Sequence, residues 1–354
     1  MKTIKIITEK TNKEMTANDY FSKAKDFEVT GNYKKAIELY SKAIQLNPNY
    51  VAAYNNRGKA KCALCQFEEG LEDYNKAIAL DPEYADAYMS RHCVKSYFKY
   101  EYDDCKKYYE LKIEEANKRI EADPKDSEAY YNRGKEKDII SQHEEAIKDF
   151  NKAIKLNPKE SVFYEARGDA KYMLKQFAEA IKDYDKAIEI NPKNYTPYRS
   201  RGSSKFILEQ YEEAKEDFNK YYKSEIEKTS KEIENNPKDR WAYYNRGYAY
   251  RRLNQDEEAQ KNFKKYYELA MKAANKRIKV NPKDSKAYYI RGCDKKDLKQ
   301  YKGAIKDFKK SIRIDNKNIW WVYKELIEVY KLLGREKDAK DIEQKLNEIE
   351  KEKK

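Results

Sequence analysis

Apolar and small residues recur along this chain at spacings of three and four, in short runs broken at regular points. In residues 161–194, Tyr164, Gly168 and Tyr172 form one stripe, and Ala180, Tyr184, Ala187 and Ile190 form a second. Each stripe predicts an amphipathic helix, and Lys175-Gln176 between them predicts the turn of a helical hairpin. Pro192 stops the second helix, because proline lacks the N–H the helix needs and its ring crowds the preceding turn. Gly168 and Ala180 are small where the two helices must approach closely, and aromatic residues just past the turn (Tyr33, Phe67, Phe177, Tyr211, Tyr301) close the open end. A single hairpin cannot cover its own apolar stripe. Stacked neighbours can, which predicts an all-α solenoid.

The hairpin recurs. Pro48, Pro82, Pro124, Pro158, Pro192, Pro237 and Pro282 follow one another at intervals of 34, 42, 34, 34, 45 and 45 residues, most closing a phrase such as KAIKLNP. Six of them precede a Tyr and then Arg-Gly, as in Tyr164…Arg167-Gly168. A fixed period of this kind marks a repeat architecture. With an aromatic at the fourth position, a small residue at the eighth, Ala at the twentieth and twenty-seventh and Pro at the thirty-second, the chain resembles the tetratricopeptide repeat family. Eight units are expected over 17–319, starting at residues 17, 51, 85, 127, 161, 195, 240 and 285. A degenerate capping hairpin and charged tail are expected over 320–354, with Tyr323, Gly334 and Ala339 in register, and 1–16 are expected to form a flexible tail. The resemblance implies a right-handed superhelix with a concave groove lined by the first helices, holding peptides or partner proteins.

Two departures from the family pattern stand out. Repeats three, six and seven are longer by 8, 11 and 11 residues, approximately two and three helical turns, so their second helices can lengthen without rotating their faces. The inserts share a stripe: Tyr109, Ile113, Ala116, Ile120; Tyr222, Ile226, Thr229, Ile233; Tyr267, Met271, Ala274, Ile278. These long helices pack on one another or pair between chains, which makes homo-oligomerisation one expectation. The second departure is Arg at the seventh position, where the family carries Leu. Arg57, Arg133, Arg167, Arg201 and Arg291 each have Asp sixteen residues later: Asp73, Asp149, Asp183, Asp217 and Asp307. This predicts an ion pair between the two helices of a hairpin, since a half-buried Arg needs such a partner.

Composition narrows the class. Charged residues make up 39% of the 354, the hydrophobic class 40%, and mean hydropathy is −1.16, too polar for one large apolar core. No run approaches a membrane span, and MKTIKIITEK lacks the apolar stretch of a secretory signal, so a cytoplasmic location is expected. Cys62, Cys65, Cys93, Cys105 and Cys293 are an odd, scattered set, and Cys62-Ala-Leu-Cys65 is expected to pack rather than to bind metal. His143 falls at an aromatic plug position, and His92 stands where a small residue is expected. No nucleophile, phosphate-loop or metalloprotease motif occurs, so no enzyme activity, cofactor or metal is expected.

A protein-interaction scaffold is therefore the expected function. The carboxylate clamp with which relatives hold Hsp70 and Hsp90 tails needs Lys and Asn at the fifth and ninth positions of one first helix. Here those positions read Phe21/Lys25, Asn55/Lys59, Met89/Cys93, Tyr131/Lys135, Glu165/Asp169, Arg199/Ser203, Tyr244/Tyr248 and Tyr289/Cys293, and none fits. Charge points elsewhere. Residues 240–318 hold 23 Lys and Arg against 9 Asp and Glu, while the whole chain carries +13. Within this basic block Trp241, Tyr244, Tyr248 and Arg251 are spaced three, four and three apart, with Arg252 and Tyr289 expected nearby. Aromatic anchors with Arg are the usual energetic centre of an interface, so these six residues are the candidate site for an acidic protein or peptide segment. Single-stranded nucleic acid or RNA bound through the same block, or attachment to an anionic membrane, are the alternatives.

Overall fold

Helices form where the stripes place them. The structure is a computed structural model that describes residues 15–98, 103–315 and 320–352, and no strand occurs among these. The expected tail at 1–16 falls almost wholly outside the described residues. Two units are distinguished, Met1–Pro197 and Tyr198–Lys354. The first contains α1 (Ala17–Val29) paired with α2 (Tyr33–Leu46), α3 (Val51–Ala63) with α4 (Phe67–Leu80), and α5 (Ala85–Phe98) with α6 (Asp103–Ala122). It also contains α7 (Ser127–Ile139) with α8 (His143–Leu156) and α9 (Ser161–Met173) with α10 (Phe177–Ile190). The second contains most of α11 (Thr196–Ile207), followed by α12 (Tyr211–Asn235) and the hairpin of α13 (Arg240–Arg252) with α14 (Asp256–Val280). The hairpins of α15 (Ser285–Asp297) with α16 (Tyr301–Ile314) and α17 (Trp320–Leu332) with α18 (Glu336–Glu352) complete it. Within each unit, every second helix also packs on the first helix of the next hairpin.

Local chemistry makes the turns. Inside a hairpin the first helix ends on a residue of positive φ: Gly31 and Gly334, but also Cys65, Ser141, Lys175, Glu209, Asn254 and Lys299. The Gln176 amide donates to the Lys171 carbonyl and the Lys175 amide to that of Tyr172, both at 2.9 Å, so the orphan carbonyls of the helix end are used. Between hairpins the Asn or Asp before each proline accepts from the amide two residues on, as Asn157 does from Lys159 at 3.3 Å and Asn281 from Lys283 at 3.1 Å. The recurring Asn-Pro phrase is thus a side-chain-closed turn followed by a helix stop. The first and second helices meet at a glycine. A Cβ on Gly168 would stand 2.7 Å from the Tyr184 ring, and one on Gly292 2.5 Å from that of Phe308. In the α5–α6 hairpin the same two positions carry His92 and Cys105, so bulk is exchanged between the helices.

The seventh-position arginines form a rung each. Arg167 binds Asp183 through both Nε (3.0 Å) and Nη2 (2.5 Å), and Lys171 reaches the same carboxylate at 2.8 Å. The remaining edge of the guanidinium, Nη1, donates to Asn151 Oδ1 at 2.6 Å on α8, the last helix of the previous hairpin. Its face lies 5.6 Å from the Tyr164 ring. The arrangement recurs at Arg57 with Asp73, Lys61 and Ser41, at Arg133 with Asp149, Lys137 and Asn117, and at Arg291 with Asp307, Lys295 and Asn275. Two rungs lie outside the expected pattern. Arg91 binds Asp104, thirteen residues on rather than sixteen, and Arg246 meets the neutral Asn262 and Ser230.

The rungs also measure the inserts. In α4, α8 and α10 the rung Asp (73, 149, 183) and the residue seven before the proline (75, 151, 185) are two apart. In α6, α12 and α14 the rung residue and the back-contact residue (104 and 117, 217 and 230, 262 and 275) are thirteen apart. All three inserts are therefore eleven residues, close to the ~10.8 of three turns. The expectation of a two-turn insert in repeat three is corrected. Its rung partners, Arg91 and Asp104, are thirteen rather than sixteen residues apart, so the net excess is smaller than the insert.

Asp183→Ala leaves the Arg167 and Lys171 charges half-buried without their counter-ion and is expected to cost roughly 3 kcal/mol, read as a lowered urea midpoint. Arg167→Met combined with Asp183→Leu should cost clearly less than the sum of the two single changes. Simple additivity would contradict the pairing.

Candidate partner-binding surface

A three-turn insert moves the next hairpin about 16 Å along the lengthened helix while keeping it on the same face. In an ordinary repeat the residue that receives the next first helix is a fully buried alanine, namely Ala43, Ala77, Ala153 or Ala187. In the three long helices the corresponding place holds a tyrosine pair, Tyr108-Tyr109, Tyr221-Tyr222 and Tyr266-Tyr267, each with rings 5.0–5.1 Å apart. The buried small residue recurs two turns further on as Ala116, Thr229 and Ala274. The tyrosine pair therefore stands where the flanking first helices are staggered, and cavities open there.

In the second unit α13 lies between two such helices. Trp241, Tyr244 and Tyr248 are 53%, 38% and 45% exposed, high values for such large rings. Trp241 and Tyr244 lean on Tyr266 of α14, with centroids 5.5 and 5.2 Å away, and the Arg240 guanidinium lies 5.2 Å from the Trp241 ring. Tyr248 faces the other way, 6.1 Å from Tyr222 of α12, and Arg252 lies 5.6 Å from that same ring. Burial raises the Tyr222 hydroxyl, and the Arg252 charge partly offsets it. Four of the six candidate residues thus form two adjoining clusters. Arg251 turns instead onto Phe263 at 4.6 Å, beside a cavity of about 800 Å³ that also carries Lys261, Lys264 and Lys299. Tyr289 packs against the core around Leu326 and Tyr330, its ring 6.2 Å from Phe308. The reason is the length of α16: with no insert, α17 comes in close and covers the position that stays open at Tyr244.

Tyr266, Tyr221 and Arg199 belong to this surface, with the buried Tyr222 beneath it, and none of them was among the candidate site residues. Arg199 lies 5.4 Å from the Tyr221 ring. A second cavity of about 470 Å³ is lined by Arg199, Tyr221, Tyr222, Asn245, Tyr248 and Arg252, among others. The signal for these residues was present in the sequence as the doubled tyrosine in an alanine slot.

Other singled-out residues take structural positions. Cys62 packs under Gly70 and accepts from the Tyr74 hydroxyl at 3.6 Å, and Cys65 is the positive-φ turn residue. His143 Nδ1 lies 2.7 Å from Asp138 Oδ1. No cluster of metal-ligating side chains occurs among the described residues. One buried charge is unexplained by pairing. Asp294 on α15 is only 6% exposed, and its Oδ2 has no hydrogen-bond partner. Burial pushes its carboxyl up to about 6, with Arg240 opposing and Asp297 adding to the shift.

Comparison with known proteins adds the family. A model described as TPR repeat matches residues 30–64, and models described as tetratricopeptide repeat match 51–84, 127–160, 163–194, 230–261 and 285–318. Together they span just over half of the chain. No curated protein gives a significant match. Among solved structures, the crystal structure of MamA is 25% identical over 50% of this chain and 99% of that one, with a TM-score of 0.33. MamA 41-end from Desulfovibrio magneticus RS-1 is 20% identical over 50% and 96%, with a TM-score of 0.35. TTC0263, a thermophilic TPR protein in Thermus thermophilus, is 18% identical over 54% and 100%, with a TM-score of 0.32.

The Asp294 environment sets a pH dependence. A carboxyl whose pKa is raised on folding binds its proton more tightly in the folded state, so stability falls as pH rises from about 4 to about 6 and is then level. Asp294→Asn removes the buried charge and should raise the melting temperature at pH 7.5, by an amount corresponding to roughly 1–3 kcal/mol. The gain should vanish at pH 4. An equal gain at both values would show that ionisation of Asp294 is not the cause.

Proposed function

Because the chain belongs to the tetratricopeptide repeat family, we propose that it is a protein-interaction scaffold whose docking surface is the exposed aromatic face of α13. Proteins of this family are in general non-enzymatic scaffolds, and no helix among the described residues is long and apolar enough to cross a membrane. The observation that carries the reading is the exposure of Trp241, Tyr244 and Tyr248 together, on a helix whose charged neighbours are Arg240, Arg251 and Arg252. Large rings are normally buried, and a cluster left open beside arginines has the composition of an interface centre. The excess of Lys and Arg over 240–318 selects an acidic segment and speeds its approach, and ring burial then supplies most of the affinity.

Trp241→Ala with Tyr244→Ala should remove the partner that the intact chain captures from its host, while both residues' exposure leaves the melting temperature nearly unchanged. Capture by both forms of the same partner would remove the site. Tight binding of a single-stranded oligonucleotide, weakening steeply with salt, would favour the nucleic-acid alternative instead.

A further inference from the structure

Three exposed arginines in this chain have acids to hold. Arg119 pairs with Asp126, Arg277 with Asp284, and Arg335 with Asp338, all at 2.8 Å. Arg199 and Arg252 have no ion-pair partner among the described residues. Each instead lies along a tyrosine, Arg199 at 5.4 Å from Tyr221 and Arg252 at 5.6 Å from Tyr222. The two rings adjoin, 5.1 Å apart and 68° to one another, so the two guanidiniums are brought to one cavity of about 470 Å³. Arg252 also hydrogen-bonds the Tyr222 hydroxyl, which occupies only part of its five-donor fork, and the remaining N–H groups of the two guanidiniums match a carboxylate.

The repeat itself does not require these arginines. Forty-five residues on, in the same register, the next tyrosine pair is Tyr266-Tyr267, and the equivalents of Arg199 and Arg252 are Tyr244 and Asp297. The next junction therefore keeps the tyrosines and carries an acid in place of the second arginine. Of the two junctions, only that of α11, α12 and α13 brings two arginines beside the tyrosine pair; the lysine-lined cavity of the next one carries Asp297 in place of the second.

We propose that this pocket holds one Asp or Glu side chain of the docked segment between Arg199 and Arg252, with a neighbouring apolar residue lying on the exposed Tyr248. The inference rests on the docking role assigned to α13 and specifies which chemistry that face selects. Charge counting favours a carboxylate over a phosphate. Glu225 also lines the cavity, so two arginines and one glutamate leave a single net positive charge, which suits a monoanion. The Asn245 amide on the wall can donate to the second carboxylate oxygen.

Three fluorescein-labelled octapeptide pools test this, with randomised flanks around a fixed Glu-Phe, Gln-Phe or phosphoserine-Phe centre, read by fluorescence polarisation on the full chain. The Glu pool should bind about tenfold more tightly than the Gln pool, the scale of a charge-assisted pair. Arg199→Gln with Arg252→Gln should bring that ratio to about one with an unchanged melting temperature, and Arg199→Lys with Arg252→Lys should keep only part of it. Trp241→Ala with Tyr244→Ala should weaken both pools and leave the ratio intact. A ratio that survives in the Gln variant, a wild-type ratio near one, or a phosphoserine pool tenfold tighter than the Glu pool would each overturn the carboxylate pocket. If the ratio depends on the arginines while Trp241→Ala with Tyr244→Ala changes nothing, the pocket stands and the wider docking face falls.

Discussion

The arginine at the seventh position of the first helices from α3 to α15 is the constraint on which the rest of the structure depends. A chain this rich in charge has little apolar surface to bury, and its hairpins must be joined by something other than a large core. Arg167 shows the solution. Two of its nitrogens grip Asp183 on its own second helix, a third reaches Asn151 on the previous one, and its face rests on Tyr164. One side chain thereby ties three helices. Half-buried, it cannot be left without partners, so the geometry of all three helices is specified rather than merely favoured.

That constraint explains why the inserts are three turns long. The back-contact residue must face the next arginine, and only an insert close to a whole number of turns keeps it there. Eleven residues satisfy this, and Ser230 and Asn275 still meet Arg246 and Arg291 after the insert. The stagger that results is what makes a surface. Where α16 has no insert, α17 covers Tyr289. Where α14 has one, Tyr244 stays open. The same physical rule thus fixes the frame and exposes the rings of α13.

Much of this was legible in the sequence, because helical periodicity and the proline interval are short-range signals. The Arg–Asp pair was legible too, since a separation of sixteen recurs unchanged when turn and helix lengths do not vary. Arg91 escaped that pattern because its hairpin gains eleven residues after Asp104 and has three fewer between the rung partners, changes that partly cancel in the length. Tyr244 and Trp241 could be read from their spacing, but Arg251 lies ten residues beyond Trp241, about 80° round the helix, and so turns onto Phe263. Tyr266, Tyr222 and Arg199 sit on other helices, and their place in the surface depends on the stagger, which no single repeat contains.

Hydrogen exchange on Arg167→Met tests the central claim most directly. The account predicts that protection falls on α8 as well as on α9 and α10, because the lost side chain bridges two hairpins, while α1 to α4 keep theirs. Protection lost from α9 and α10 alone, with α8 unchanged, would show that the arginine serves only its own hairpin and would contradict the account.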